Sequence, residues 1–461
     1  GDRVATLVLG GRAADVPLLQ LCPGAVRQAI EVEGGAEWLA ECRRGREQLD
    51  AELPCPSFAD AVADTRRLAR LASWEERLPL CYQLPPAPPR LLQPWRVGGL
   101  TLRNRIVKAA TFEGVTGAEL VEFHRGVAAS GVGLTIVAYG AVTAGGRSFP
   151  NQLVVRGDEA AGTLRDLAAA VHAEGGRVAV QLTHAGYFAH DALSATSHFQ
   201  VDLMKWRLAR KMTDADVDAL VRQFADAAFL CAGAGIDGVV IHCGHGYLLS
   251  QFFSSPSGAR VPMRVLRAVR AAAPQLLVIC KFNVMDGPGD TATLGKATQF
   301  ALQVQREGVV DMLVPSGGHV LSNGFFMLRG GVPLARMVSR AQTAAMRLSL
   351  ALFGALVIPH LEWEPAFFVQ GALALRSAGV DLPLVVTGGV HTLHTAIWVT
   401  ERLGLDGVGM ARALLNDPEL VRHWEKSNTS HQTCDRSNLC AIRSTFEQKP
   451  LECYLRRVTD W

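Results

Sequence analysis

In Gly238-Val239-Val240-Ile241-His242-Cys243-Gly244-His245-Gly246-Tyr247 an unbroken apolar run gives way at once to two imidazoles and a phenol. A strand buried on both faces reads this way, whereas a half-exposed strand alternates and an amphipathic helix repeats every three to four residues. Runs of the same kind occur at Arg105–Ala110, Gly133–Tyr139, Arg177–Thr183, Leu277–Phe282, Asp311–Pro315, Leu384–Thr387 and Gly407–Met410, making eight with Gly238–His242. Longer helix-like runs lie between them, such as Leu164–Ala173, Thr213–Ala232 and Leu393–Leu403. Strands alternating with helices give a parallel sheet, and eight repeats favour a closed (β/α)8 TIM barrel, an α/β fold, over an open sheet. One insertion, about residues 316–365, separates the sixth strand from its helix and is expected to act as a lid.

Polar residues fall where such a barrel does its chemistry, at the C-terminal ends of strands. Gln181 and His184 end the third strand, His242 and His245 the fourth, and Lys281 and Asn283 the fifth. Ser316-Gly317-Gly318 follows the sixth, Thr387-Gly388-Gly389 ends the seventh, and Ala411-Arg412 follows the eighth. Core packing does not ask for polar groups at six successive strand ends. Glycines before a helix N-terminus let bare amides approach an anion, so Gly388 and Gly389 with the Arg412 guanidinium form a candidate phosphate grip.

His242 and His245 have metal-ligand spacing, but no carboxylate or third histidine lies near them in sequence, so zinc is the weaker reading. A pair that hydrogen-bonds a substrate oxygen, with Tyr247 offering a proton, is the stronger one. Buried histidines satisfied within the core are the bland alternative.

The wider composition is that of a globular chain. Of 461 residues, 49% are apolar and 19% charged, which is enough for a substantial core with an appendage. The net charge of +3 comes from 46 basic and 43 acidic residues without long like-charge blocks, so nucleic acid is not an expected partner. No apolar run is long enough for a membrane span, Leu348–Pro359 being too short. Ten scattered cysteines without a signal peptide point to a reducing, intracellular compartment, cytoplasmic or organellar. Pro85, Pro86, Pro88 and Pro89 mark a connector between a mainly helical extension, residues 1–90, and a barrel domain, residues 91–461. Phe58–Leu78 reads as an amphipathic helix in the extension. The apolar stretch Met337–Pro359 suits capping the pocket or association, and homo-oligomers or a larger assembly would form through it or through residues 1–90.

From about Leu91 to Cys453 the chain resembles the old yellow enzyme and NADH:flavin oxidoreductase family. Asn104–Ala110 resembles its first strand, Val180–Gly186 its third, and Ile241–Phe252 is the strongest match, together with the Gly388-Gly389 and Ala411-Arg412 loops. The resemblance implies FMN, with Ala109, Ala110, Thr111, Gly318, Gly388, Gly389, Ala411 and Arg412 around it. It places Gln181 and Lys281 on the polar edge of the isoalloxazine. It implies an ene-reductase cycle: NADH or NADPH reduces the flavin, His242 and His245 hold the oxygen of an activated alkene, and Tyr247 protonates its α carbon.

Two departures qualify that inference. Phe112 stands where the family has Thr or Cys beside the flavin, and a phenyl group donates no hydrogen bond. The loops after Gly117, His190 and Pro256 are shorter than the family's. These features favour the competing reading, a flavin-binding or degenerate structural subunit. Relatives of the dienoyl-CoA reductase type hold an iron–sulfur cluster on four cysteines. Here Cys434, Cys440 and Cys453 are joined by Ser437, so no cluster is expected.

Overall fold

A computed structural model describes residues 89–455, apart from 197, 202–205, 256, 288–289, 321–323, 342 and 428–432. The extension and its helix at Phe58–Leu78 lie outside the described residues.

Eight parallel strands form the centre: β1 Ile106–Lys108, β2 Leu134–Ala141, β3 Arg177–Thr183, β4 Gly238–Cys243, β5 Leu277–Met285, β6 Met312–Gly317, β7 Val385–Thr387 and β8 Gly407–Met410. Their order in the sheet is β6-β5-β4-β3-β2-β1-β8-β7. A parallel bridge between Leu313 and Leu384 joins the two outer strands, so the sheet closes into a TIM barrel. The strands match the eight apolar runs because burial from both sides leaves little room for polar residues: every residue of β4 and β6 is buried.

The outer layer comprises α1 Gly117–Ala129, α2 Gly157–Ala173, α3 Asp214–Gly233, α4 Arg260–Ala272, α5 Thr291–Glu307, α6 Val369–Ser377, α7 Leu393–Ile397 and α8 Leu420–Ser427. Helix starts are set locally: Thr213 and Asp216 form a capping box at α3, and Asp290 caps α5. The predicted helix at Leu393–Leu403 is divided, since α7 passes into a π-turn at Trp398–Arg402. Phe224 of α3 and Trp424 of α8 are fully buried in the main apolar cluster.

The barrel has one closed end. A hairpin, Trp95–Val97 against Leu100–Leu102, places Trp95, Val97 and Leu102 in one apolar cluster with interior residues of the strands, including Val107, Ile136, Val240, Ile279 and Met312. A polar clamp recurs at that end. Asp237, Asp311 and Asp406 each precede an even-numbered strand and accept the amide opening the preceding odd one, from Val178 at 2.8 Å, Val278 at 2.8 Å and Leu384 at 3.0 Å. Each also pairs with an arginine, Arg177, Arg270 and Arg376 respectively. These bonds leave the opposite rim for chemistry.

Two excursions stand at that rim. After β3, Leu193–Ser194, His198–Val201 and Trp206–Lys211 form a small sheet that the sequence pattern does not announce. Between β6 and α6 the expected insertion carries helices Leu334–Arg340 and Ala344–Val357. Met337, Met346 and Leu350 pack there with Ile442 of the C-terminal segment. The outer face of Ala344–Val357 exposes Leu348, Leu352, Phe353 and Leu356. No helix among the described residues is long and apolar enough to cross a membrane.

Candidate active site

Parallel register brings the sequence-predicted residues to one rim. Lys281 lies opposite His242, and Asn283 opposite Ser316. Thr387 lies opposite Gly409, so the loops carrying Gly388-Gly389 and Ala411-Arg412 are neighbours. His242 and His245 rings are 5.0 Å apart, and the Tyr247 ring is 4.7 Å from His242.

The loop after β4 is held in an unusual shape. His245 has φ 60°, in the region that favours glycine. Its amide donates to Asn283 Oδ1 at 3.1 Å, its carbonyl accepts from Val320, and Asn283 also donates to the Gly318 carbonyl at 2.8 Å. Asn283 thus ties the loops of β4, β5 and β6 together. Gly246 follows with φ 80°, and a Cβ there would come within 2.5 Å of the His319 ring. Gly246→Ala is expected to destabilise the fold by about 1–3 kcal/mol, read from the midpoint of urea unfolding.

Burial sets the protonation states. His242 and His245 are held well below the ordinary histidine pKa, first by desolvation and then by the Lys281 charge. Both are neutral at pH 7. With the Gln181 amide nitrogen 3.4 Å from His242 Nδ1, Nδ1 acts as acceptor and the ring proton sits on Nε2. That Nε2 is buried and has no partner among the described residues. His245 Nε2 is spoken for, 2.8 Å from Ser316 Oγ. The Tyr247 phenol is pushed well above 10 by burial, so it keeps its proton, and its oxygen lies 3.1 Å from Ser148 Oγ. Lys281 is lowered to about 8 by burial and by Lys108, leaving it a cation at neutral pH. No hydrogen bond or ion pair to its ammonium occurs among the described residues.

The phosphate side is differently arranged. A Cβ on Gly388 would meet the Phe367 ring at 2.4 Å, and one on Gly389 the Glu364 carbonyl at 2.3 Å. The glycines are therefore required by the returning arm of the insertion. Arg412 is half-buried and donates to the carbonyls of Leu328 and Arg329 and to Asn438 Oδ1 at 2.7 Å. Ala109 donates to the Met410 carbonyl at 2.8 Å, and the Thr111 hydroxyl donates to Ala109.

Several residues of this rim escaped the sequence reading. Tyr139, at the end of β2, stacks parallel to Phe112 and to His242. Its place at a strand end was the available signal. Ser148 carries none, because only folding brings it to Tyr247; Ser316 was read as a polar strand end, and folding adds its pairing with His245. Cys434, Ser437, Cys440 and Cys453 line one cavity with Arg412. Among the described residues no group of three or more His, Cys, Asp or Glu is placed to hold a metal ion.

Comparison with known proteins places this rim in context. Residues 90–305 match the model of the NADH:flavin oxidoreductase / NADH oxidase family. Over 375 residues the chain is 36% identical to the 4,4'-dithiodibutanoate disulfide reductase of Rhodococcus erythropolis, covering 76% of this chain and 92% of that one. The chain belongs to the NADH:flavin oxidoreductase family. It is a flavin-dependent oxidoreductase by that membership. A further relative, the metal reductase of Desulforamulus reducens, is 26% identical over 79% of this chain, which spans only 53% of its length. The old yellow enzyme homologue of Zymomonas mobilis shares the fold, with a TM-score of 0.58 at 17% identity over 76% of this chain and 96% of that one.

The residues fit the family's flavin on its ring side. A buried cation without an anionic partner and a buried imidazole nitrogen without an acceptor stand at the same strand ends, and both ask for a polar group between the loops.

Proposed function

We propose that the chain is an FMN-dependent NAD(P)H oxidoreductase that reduces activated carbon–carbon double bonds in small enones, enals or nitroalkenes. The observation that supports this reading most is the meeting, at one rim, of the unpartnered His242 Nε2, the unpaired Lys281 ammonium and the protonated Tyr247 phenol. When bound, FMN supplies hydride taken from NADH or NADPH.

Each residue has a role in that reading. Lys281 holds positive charge beside the polar edge of the ring, and Gln181 bonds that edge while fixing the His242 tautomer. Backbone at Ala109, Ala110, Thr111 and Gly318 borders the ring, and Gly388, Gly389, Ala411 and Arg412 receive the phosphate. His242 Nε2 donates to the carbonyl or nitro oxygen, with His245 beside it. Tyr247 holds a proton for the α carbon. Phe112 offers an apolar wall where the family offers a hydrogen bond. The proposed set contains no iron–sulfur cluster, since Ser437 supplies no thiolate.

One observation favours a second substrate class, the 36% identity to an enzyme named for reducing 4,4'-dithiodibutanoate. In that case Tyr247 would protonate a departing thiolate. The purified protein is expected to show a flavin band that NADPH or NADH bleaches without oxygen. Return of the band on adding an enone or nitroalkene, and not an aliphatic disulfide, supports the first reading, and the reverse supports the second. No bleaching by either nicotinamide leaves the barrel as a structural subunit.

A further inference from the structure

Strand β2 leaves its ladder with β3 between Val137 and Gly140. The kink takes the Ala138 amide out of the strand pairing, and Glu113 receives it with carboxylate oxygens at 3.3 and 3.1 Å. Glu113 is 1% exposed and sits in a buried polar cluster. Lys108 Nζ donates to it and, at 3.1 Å, to the Ile136 carbonyl. His124 Nε2 lies 3.2 Å away, its other nitrogen 2.6 Å from Thr135 Oγ1. Burying a charge pair costs free energy that apolar side chains of similar volume would not. Packing alone therefore does not account for it.

What the kink presents is Tyr139. Its ring lies parallel to Phe112 at 5.8 Å and to His242 at 6.4 Å, with the Tyr247 ring at 5.4 Å. Across the 5.4 Å between the two rings, the Tyr139 hydroxyl is close enough to act on the Tyr247 phenol. Tyr139 follows the very amide that Glu113 holds.

We propose that Glu113 is a positioning residue for Tyr139: through the Ala138 amide it fixes the kinked end of β2 so that the Tyr139 hydroxyl meets Tyr247 in the site. Lys108 and His124 hold the carboxylate in place. The role at Tyr247 rests on the reading given under Proposed function.

The test uses Glu113→Ala, Glu113→Gln, Tyr139→Phe and the E113A/Y139F double variant of the flavin-loaded protein. Glu113→Ala and Tyr139→Phe are each expected to lower kcat about tenfold with KM little changed, and the double variant to be no worse than either, since residues acting as one unit are not additive. Glu113→Gln, which keeps an acceptor for the amide, recovers part of the loss. Additive losses overturn the proposal, as does a wild-type kcat in Tyr139→Phe, which decides the matter even if no Glu113 variant folds. Hydrogen exchange needs no substrate: Glu113→Ala speeds exchange at Ala138 while the other barrel strands keep their protection. Unchanged exchange there overturns the proposal, whereas a wild-type protein that reduces no alkene overturns only the underlying functional reading.

Discussion

Tyr247→Phe is expected to lower kcat for alkene reduction by about two to four orders of magnitude, the span typical of a lost general acid. The phenol is 2% exposed, and burial keeps it protonated far above neutral pH. Its ring is fixed by Phe188 at 4.7 Å and His242 at 4.7 Å, so phenylalanine fills the same space and only the oxygen is lost. Reduction of the bound flavin by NADPH does not draw on that proton. Stopped-flow measurement of the two half-reactions separates the effects. The expected result is an unchanged first half-reaction and a second that is slowed by the full factor. An unchanged second half-reaction would remove Tyr247 from the proton-delivery role.

Acidification from pH 6.5 to 4 is expected to remove several kcal/mol of stability. His184 is lowered to about 4 and His391 to about 3, mainly by burial, and His242 and His245 are held well below the ordinary histidine value. In the unfolded chain these side chains titrate near about 6.5. Below that pH the unfolded state binds more protons than the folded one, so stability falls as pH falls. The contribution is fully present above the unfolded pKa and is lost on approach to the folded ones. A shift of one unit corresponds to about 1.4 kcal/mol, which gives about 3 kcal/mol for each of His184 and His391 by pH 4. Together they rival the whole stability of an ordinary domain. Glu113, with its pKa lowered from the carboxylate value, acts only at still lower pH. Urea midpoints from pH 7.5 to 4.5 measure the slope, and His184→Gln and His391→Gln should flatten it. A level midpoint between pH 7 and 5 would show that the histidines are not buried neutral.

The barrel was legible because its strands face apolar surroundings on both sides, and that requirement writes itself into contiguous residues. Each of the eight runs became a strand, with β5 extending three residues further, to Met285. The small sheet after β3 was not legible, since its strands lie in a polar excursion outside the repeating pattern. The π-turn at Trp398–Arg402 continues the apolar spacing of a helix, so nothing in the spacing marks it.

For the site, the sequence by itself determined which side chains end which strands, because strand polarity in a parallel barrel sends every C-terminus to the same rim. His242, His245, Lys281, Gln181 and Arg412 were placed at or just beyond strand ends that way, with Tyr247 following in the same loop as the two histidines. Only the tertiary structure decided what those groups are free to do. The partners of Arg412, at Leu328, Arg329 and Asn438, lie 26 to 84 residues away. Glu113 reaches across 25 residues to the Ala138 amide. A side chain's available protons and lone pairs depend on what has already taken the others, and such long-range pairing leaves no trace in local spacing.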